Sequence, residues 1–483
     1  MTTRFEFVAQ DPSAKLKPGK DTLIRSHCMQ GKNKRPNSRR SQKEQHKKKN
    51  GNIIVSQTVK PQGPLTIPKS PDEFTLARFA WPNIDTESRQ LLFKAFAFNV
   101  PNPSLTPLDR CVDFDTFEKV TFEWVFSDAA FLHCVLYATH AVDDFLTPGW
   151  NGQPGEKTVF HLRQTLRLLN KKIAGSDIHK DEAALNIVVQ LGFLAACFGD
   201  WCAAIAHFSG LHKIIELRGG QSFLRTRPKL HFKIDRLDLA YSLSSGKQPM
   251  FRHATEQWRP TLPIAPVAAD ALQPPIYWDS GLQSVFLDFQ KMAVTVNRYM
   301  QSHTQYNAKC FQDVLSSLQS RLLHLEGGLE DPSQELIRLS LLAFLATTFK
   351  TPGRKIPYGW IANRISEKYT TANISSSKLT DSLRIWILLI TAISVTDVEQ
   401  PWLQVAWQEL SLALDWESVK SELMSVMWIE CIHDGPGAVA YHRLADLNYK
   451  QGHEQNFMTR PECRTRRWQE SRKCLTCGQP DRA

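Results

Sequence analysis

The 483-residue chain lacks the signatures of several large functional classes. No apolar run approaches the roughly 18 uninterrupted residues that a membrane-spanning helix needs. The nearest, Leu383 to Val395, is shorter and carries Arg384. The opening residues MTTRFEFVAQ contain no apolar core of the kind a secretory signal requires, which predicts a cytosolic or nuclear protein. Neither G-x-G-x-x-G nor a Walker lysine motif occurs, so no phosphate-cradling loop is indicated. H-E-x-x-H and G-x-S-x-G are absent as well. On these grounds no enzymatic activity, no cofactor and no membrane contact are expected. β-rich stretches and fixed-period repeats are also missing, which leaves helix as the dominant element.

Charge is present but very unevenly placed. Residues 1–50 carry 14 Lys/Arg against 4 Asp/Glu, and residues 451–483 carry 7 against 4. Taking these +10 and +3 from the total of +11 leaves −2 for residues 51–450, a near-neutral globule between basic ends. The basic run GKNKRPNSRRSQKEQHKKKN (31–50) concentrates Lys32, Lys34, Arg35, Arg39, Arg40, Lys43, Lys47, Lys48 and Lys49. With proline its only apolar residue, it cannot offset the entropy of ordering, which predicts a disordered arm. Such an arm suits nuclear import, phosphate contact, or both.

Helical periodicity organises the rest, most clearly in AALNIVVQLGFLAACFGDWCAAIAHFSGLHKIIELRGG (183–220). Its first part is apolar on nearly every face, as a helix at the centre of a large core is. Asp200 suits an N-cap, and Trp201, Ala204/Ile205, Phe208, Leu211 and Ile215 recur at the spacing of one buried face. Gly210, in the helix interior, predicts a close helix–helix approach, and Gly219-Gly220 the C-cap stop. Upstream, helices are expected from Thr86, from Ser127 to Phe145 (with Phe131, Val135, Ala138 and Val142 buried) and through Leu162, Leu166 and Leu169. A short strand or docking segment at 4–10, a few helical turns at 21–30 and a Pro/Ser/Thr-rich linker at 51–80 precede them. Downstream, the pattern predicts Lys229–Ser244, Leu282–Ser302, Phe311–Leu325, Ser333–Phe349, Ile361–Lys368, Ser382–Val395, Trp402–Leu414 and Trp416–Ile432. The proline-containing loop 260–275 is the candidate internal boundary.

Few side chains suggest chemistry. His140, Asp143 and Asp144 lie within about one helical turn, a spacing that can hold a metal, but D-D-x-x-D is not completed because Thr147 takes the last position. His207, between Ala206 and Phe208, reads as a structural histidine. Arg218 is placed to cap its helix's last carbonyls or to pair with a core carboxylate such as Asp238. Cys474 and Cys477, with Cys463 and a distant His453, have poor spacing for structural zinc. Cys111, Cys134, Cys197, Cys202 and Cys431 read as small buried hydrophobes. No metal ligand set is therefore assigned.

The block from Cys197 to Phe251 resembles the regulatory helical domain of fungal-specific transcription factors. The likeness rests on Ala206-His207, Gly210-Leu211, Ile214-Ile215, Leu217-Arg218-Gly219-Gly220, Arg236-x-Asp238 and Pro249-x-Phe251. Leu383 to Trp428, with its Ile-Trp-Ile-Leu-Leu helix, Trp402, Trp407, Trp416-Glu417 and Val426-Met427-Trp428, is similar to that family's C-terminal half. Phe5-Glu6-Phe7-Val8, Ile24-Arg25-Ser26-His27 and the basic run resemble a subset of these proteins, some of which carry the label tachykinin family protein. The family usually begins with a zinc cluster of six cysteines that places a helix in the major groove. Here the first 110 residues contain only Cys28, so the cluster is absent and its sequence-specific DNA contact is not implied.

These readings predict an all-α protein, one large irregular multi-helix domain at 75–450, behind an arm and linker at 1–74 and before a basic polar tail at 451–483. The resemblance implies a nuclear transcriptional regulator whose partners are the transcription machinery or other regulators, with self-association left open. DNA would be contacted through the arm without base preference. The alternative is a cytoplasmic helical scaffold whose arm binds RNA or acidic partners. His207, Gly210, Arg218, Gly219, Gly220, Arg236 and Asp238 are expected to be structural.

Overall fold

The computed structural model describes residues 85–98, 107–114, 123–175, 178–251, 271–348, 355–371, 379–410 and 415–459. The basic arm, the segments expected at 4–10 and 21–30, the linker and the three tail cysteines lie outside these residues. Within them the protein is all-α, apart from two-residue strands and 3-10 turns. The first half runs α1 (Thr86–Phe98), α2 (Glu123–Ser127), α3 (Ala129–Leu146), α4 (Glu156–Ile173), α5 (Glu182–Phe198), α6 (Trp201–Leu217), a short α7 (Gln221–Leu224) and α8 (Pro228–Ser245). The second half runs α9 (Ser280–Ser302), α10 (Ala308–His324), α11 (Pro332–Thr347), α12 (Gly359–Thr371), α13 (Asp381–Ser394), α14 (Pro401–Glu409), α15 (Trp416–Val426) and α16 (Glu430–Thr459). Strands β1 (Val112–Asp113) and β2 (Tyr306–Asn307) pair in parallel across the two halves.

Short polar side chains set most helix starts. Asp128, Asp181, Asp200, Asp279, Asn307, Asp331, Thr380 and Asp415 each accept a backbone N–H from the first turn they precede. Each such cap is worth about 1 kcal/mol. Ser127 ends α2 instead of opening α3. The stripe expected to be buried on α3, Phe131, Val135, Ala138 and Val142, is only half-buried. It lies between two deeper faces. Leu132 and Leu136 join Leu92 of α1 and Val125 of α2, while Cys134, Tyr137, Ala141 and Phe145 enter the main core.

The α5–α6 hairpin has the predicted layout, with Gly199 left-handed at φ 81° and Asp200 accepting the Ala203 N–H at 3.0 Å. Its close approach, however, is at Gly192 and not at Gly210. A methyl group on Gly192 would stand 2.9 Å from the Phe208 ring, whereas one on Gly210 would meet nothing within 4 Å. Cys202, in the first turn of α6, is exposed and so is not the core residue its apolar neighbours suggest.

One apolar cluster takes residues from both sides of the 260–275 loop, including Leu237 and Phe251 before it and Trp278 and Phe286 after it. At its centre α11 is buried without interruption from Leu336 to Ala346. The single helix expected over Trp416–Ile432 is two helices. Met427 is extended (φ −174°, ψ 129°), and buried Trp428 and Ile429 cross to α16. That helix then continues past 450 into the stretch read as tail.

The two glycines predict opposite responses in denaturant unfolding. Gly210→Ala removes a helix-interior glycine in open space and should raise stability by about 1 kcal/mol. Gly192→Ala meets the Phe208 ring and should lose about 1 kcal/mol once overpacking is set against the same propensity gain. Equal gains at both positions would contradict the packing described.

Candidate functional site

Helices α3 and α4 are clamped side by side through Asp144. Its carboxylate accepts the Gly155 N–H at 2.8 Å and the Thr158 hydroxyl at 2.6 Å, so it caps α4 from the end of α3. The side-by-side pairing brings His161 of α4 against two histidines of α3, His133 and His140. Those two, seven residues apart, share one helical face.

The three imidazoles form a hydrogen-bonded chain. His133 Nδ1 and His161 Nδ1 are 2.9 Å apart, and His161 Nε2 lies 3.3 Å from the Ser88 hydroxyl of α1. The same hydroxyl is 3.4 Å from His140 Nε2, whose ring stacks on His161 with centroids 5.3 Å apart. Ser88 is fully buried, so the chain anchors α1 to the α3–α4 pair. Lys157 adds ion pairs to Asp85 and Glu87 at the start of α1. Hydrogen bonds from the Ser88 side chain and backbone hold the Asp85 carboxyl at about 2.

All three histidines are held toward the neutral state. Burial is the main cause, and His161, which also faces the other two rings, is brought down to about 3. Toward solvent the chain ends at His133, which with Phe160, Gln164 and Arg167 lines an open cleft of about 690 Å³. Phe160 is 45% exposed and stands edge-on to His161 at 5.1 Å and to His133 at 6.3 Å.

The metal spacing noted at His140, Asp143 and Asp144 does not converge. Asp144 caps α4, and His140 turns to Ser88 and His161. Among the described residues no group of three or more His, Cys, Asp or Glu side chains is placed to hold an ion.

The residues that carry the family resemblance serve separate joints. His207 is half-buried, its Cβ close to Gly192 at the α5–α6 crossing, and burial lowers its pKa. Arg218 is the C-cap of its helix through its backbone N–H, but its side chain turns neither to the last carbonyls nor to Asp238. It reaches Glu182 at 2.6 Å and the His179 carbonyl, tying the end of α6 to the start of α5. Gly219 (φ 105°) and Gly220 (φ 62°) make the predicted stop, with the Gly220 N–H returning to the Ile215 carbonyl at 2.9 Å. Arg236 is buried and donates to Gln319 at 2.7 Å and Thr348 at 2.9 Å. Asp238 accepts the Met250 and Phe251 N–H groups at 2.7 and 2.8 Å, joining two parts of the motif.

Ser88, His133 and His161 were not evident from sequence. The one available signal was the i, i+7 repeat of His133 and His140, because the third ring and the hydroxyl come from other helices.

The buried histidines predict an acid response of definite sign. Above their ordinary value of 6.5 they are neutral whether folded or unfolded. Below it the unfolded chain takes protons that folded His161 refuses until about 3, so stability falls across that range. Each histidine contributes at most about 1.4 kcal/mol per pH unit. In urea unfolding at a series of pH values, His161→Gln should flatten this decline, and an unchanged slope would show that the ring titrates normally. No family model, curated protein or solved structure matches the chain.

Proposed function

We propose that the chain is a nuclear transcriptional regulator of the fungal-specific helical type that acts through protein contacts made by its helical body. The observation that carries the reading is how the two resembling stretches are used. Arg236, from the first, bonds Thr348 and the Leu345 carbonyl at the end of α11. Trp386, from the second, lies 6.1 Å from Phe344 of the same helix and donates to the Met427 carbonyl at 2.8 Å. Both stretches thus meet on one central helix, and their motif residues maintain the body. Duplex DNA is contacted by the arm, whose Lys and Arg neutralise phosphates without reading bases.

Replacing Lys32, Lys34, Arg35, Arg39, Arg40, Lys43, Lys47, Lys48 and Lys49 by glutamine in the tagged full chain should abolish nuclear accumulation. Unchanged accumulation would remove the import role. The same variant should bind duplex DNA with a shallower dependence on salt, whereas a strong consensus sequence selected by the unaltered chain would contradict binding by phosphate contact alone.

A further inference from the structure

Helix α4 carries a solvent face that the fold does not use. Thr158, His161, Thr165 and Leu169 are its buried stripe. The opposite side presents Phe160, Arg163, Gln164, Arg167 and Lys171 at three- and four-residue steps, with both arginines and the lysine exposed. Among the described residues these three cations have no acidic partner, and Arg167 bonds only the Gln164 amide oxygen, at 2.8 and 3.1 Å. The described acids that form ion pairs with α4 hold its other lysines. Asp128 and Asp181 both hold Lys172, and Asp85 and Glu87 hold Lys157. Compensation of the helix dipole explains Lys171, in the last turn, but not Arg163 or Arg167.

We infer that this face binds single-stranded nucleic acid, with Arg163, Arg167 and Lys171 on successive phosphates and an unstacked base in the cleft beside Phe160. Four-residue steps space the cations by about 6 Å along the helix, a repeat that can follow an extended backbone. The cleft combines a half-exposed aromatic ring, an imidazole, an amide and a guanidinium, the side-chain chemistries that stack on a base and bond its edge. The Phe160 ring is pre-positioned by the His133–His161 pair beneath it. A duplex presents no free base face to such a cleft, so the strand is the favoured ligand.

The test uses the full chain with the nine arm cations replaced by glutamine, so that arm and face are read separately and the nuclear reading is not at issue. Labelled oligothymidine, oligouridine and a DNA duplex serve as probes across a salt series. Arg163→Glu/Arg167→Glu/Lys171→Glu should weaken strand binding about tenfold or more and flatten the log–log salt slope by about 2, three contacts at about 0.7 each. Phe160→Ala should weaken strand binding about tenfold and leave duplex binding unchanged. Arg163→Gln and Arg167→Gln provide milder versions with an unaltered unfolding midpoint. Equal losses with oligothymidine and oligouridine support recognition of either sugar, and a loss confined to one assigns the face to DNA or to RNA. The inference is overturned if the arm-neutralised chain binds no strand, if the charge reversals leave affinity and slope unchanged, or if they abolish binding of polyglutamate and not of the strand. A duplex preference indifferent to Phe160→Ala overturns it too.

Discussion

A guanidinium enclosed in an apolar core is tolerated only where acceptors meet its N–H groups, and among the described residues three are so enclosed. Arg236, Arg321 and Arg338 are each 3% exposed or less. Within four residues of α10 all three are engaged. Gln319 accepts from Arg236 of α8, Arg321 donates to Asp288 of α9 at 2.7 Å, and the Leu322 carbonyl accepts from Arg338 of α11 at 3.1 Å. Arg338 also forms a two-point pair with Glu335, at 2.7 and 2.8 Å. Burial lowers Arg236 to about 10, which still leaves it charged at neutral pH. Its charge is balanced by the adjoining Asp235, itself bonded to Gln312 and Ser316 of α10. Apolar contact is non-directional and lets helices slide or roll. These bonds define rotation and register, so α8, α9 and α11 all take their placement from one end of α10.

The C-terminal third is held by another device, a polar knot around His433. This fully buried ring accepts the Ile429 N–H on Nδ1 at 3.0 Å, which leaves the proton on Nε2 to be donated to Thr347 of α11 at 2.7 Å. Trp428 packs at a tilt against the same imidazole, with centroids 4.7 Å apart, and donates to Asp434, which also pairs with Lys420 of α15. The start of α16 is therefore capped by a side chain from its own first turn and tied to the central helix at once. Gly437 completes the arrangement, because a Cβ there would stand 2.7 Å from the Trp428 ring.

Legibility follows the range of the interactions. The α5–α6 hairpin was readable because its determinants are local: Asp200 caps, Gly199 and Gly220 adopt positive φ, and the buried stripe repeats within one helix. The break at Met427–Ile429 was not readable. Three apolar residues in a helical pattern contain no proline or glycine, and the chain turns there because Trp428 packs on His433 and bonds Asp434, which in turn find partners in α11 and α15. Arg218 does pair with a carboxylate, but which one is not readable for the same reason, since Glu182 sits at the far end of the preceding helix. Burial on α3 was misjudged because one helix serves two clusters, a situation in which a single apolar stripe has no meaning. The histidine chain joins three helices through four side chains, and spacing within any one of them reveals at most two.

The charge distribution then acquires a structural sense. The near-neutral body directs its buried cations inward or onto capping acids, as with Lys172 between Asp128 and Asp181. The exposed cationic stripe on α4 has no acidic partner among the described residues, and its location matters. The Phe160 ring beside it rests on His161, and His161 shares Ser88 with His140. Ser88 belongs to α1, which lies C-terminal to the basic arm in the chain. The same imidazole thus supports the aromatic wall of the cleft and the docking of α1. Its neutrality serves both: a proton added to His161 would face two further imidazoles at centroid distances of 5.1 and 5.3 Å, with Lys157 adding to the repulsion. Keeping the ring neutral preserves the cleft wall and the anchorage of α1 together, because one side chain makes both contacts.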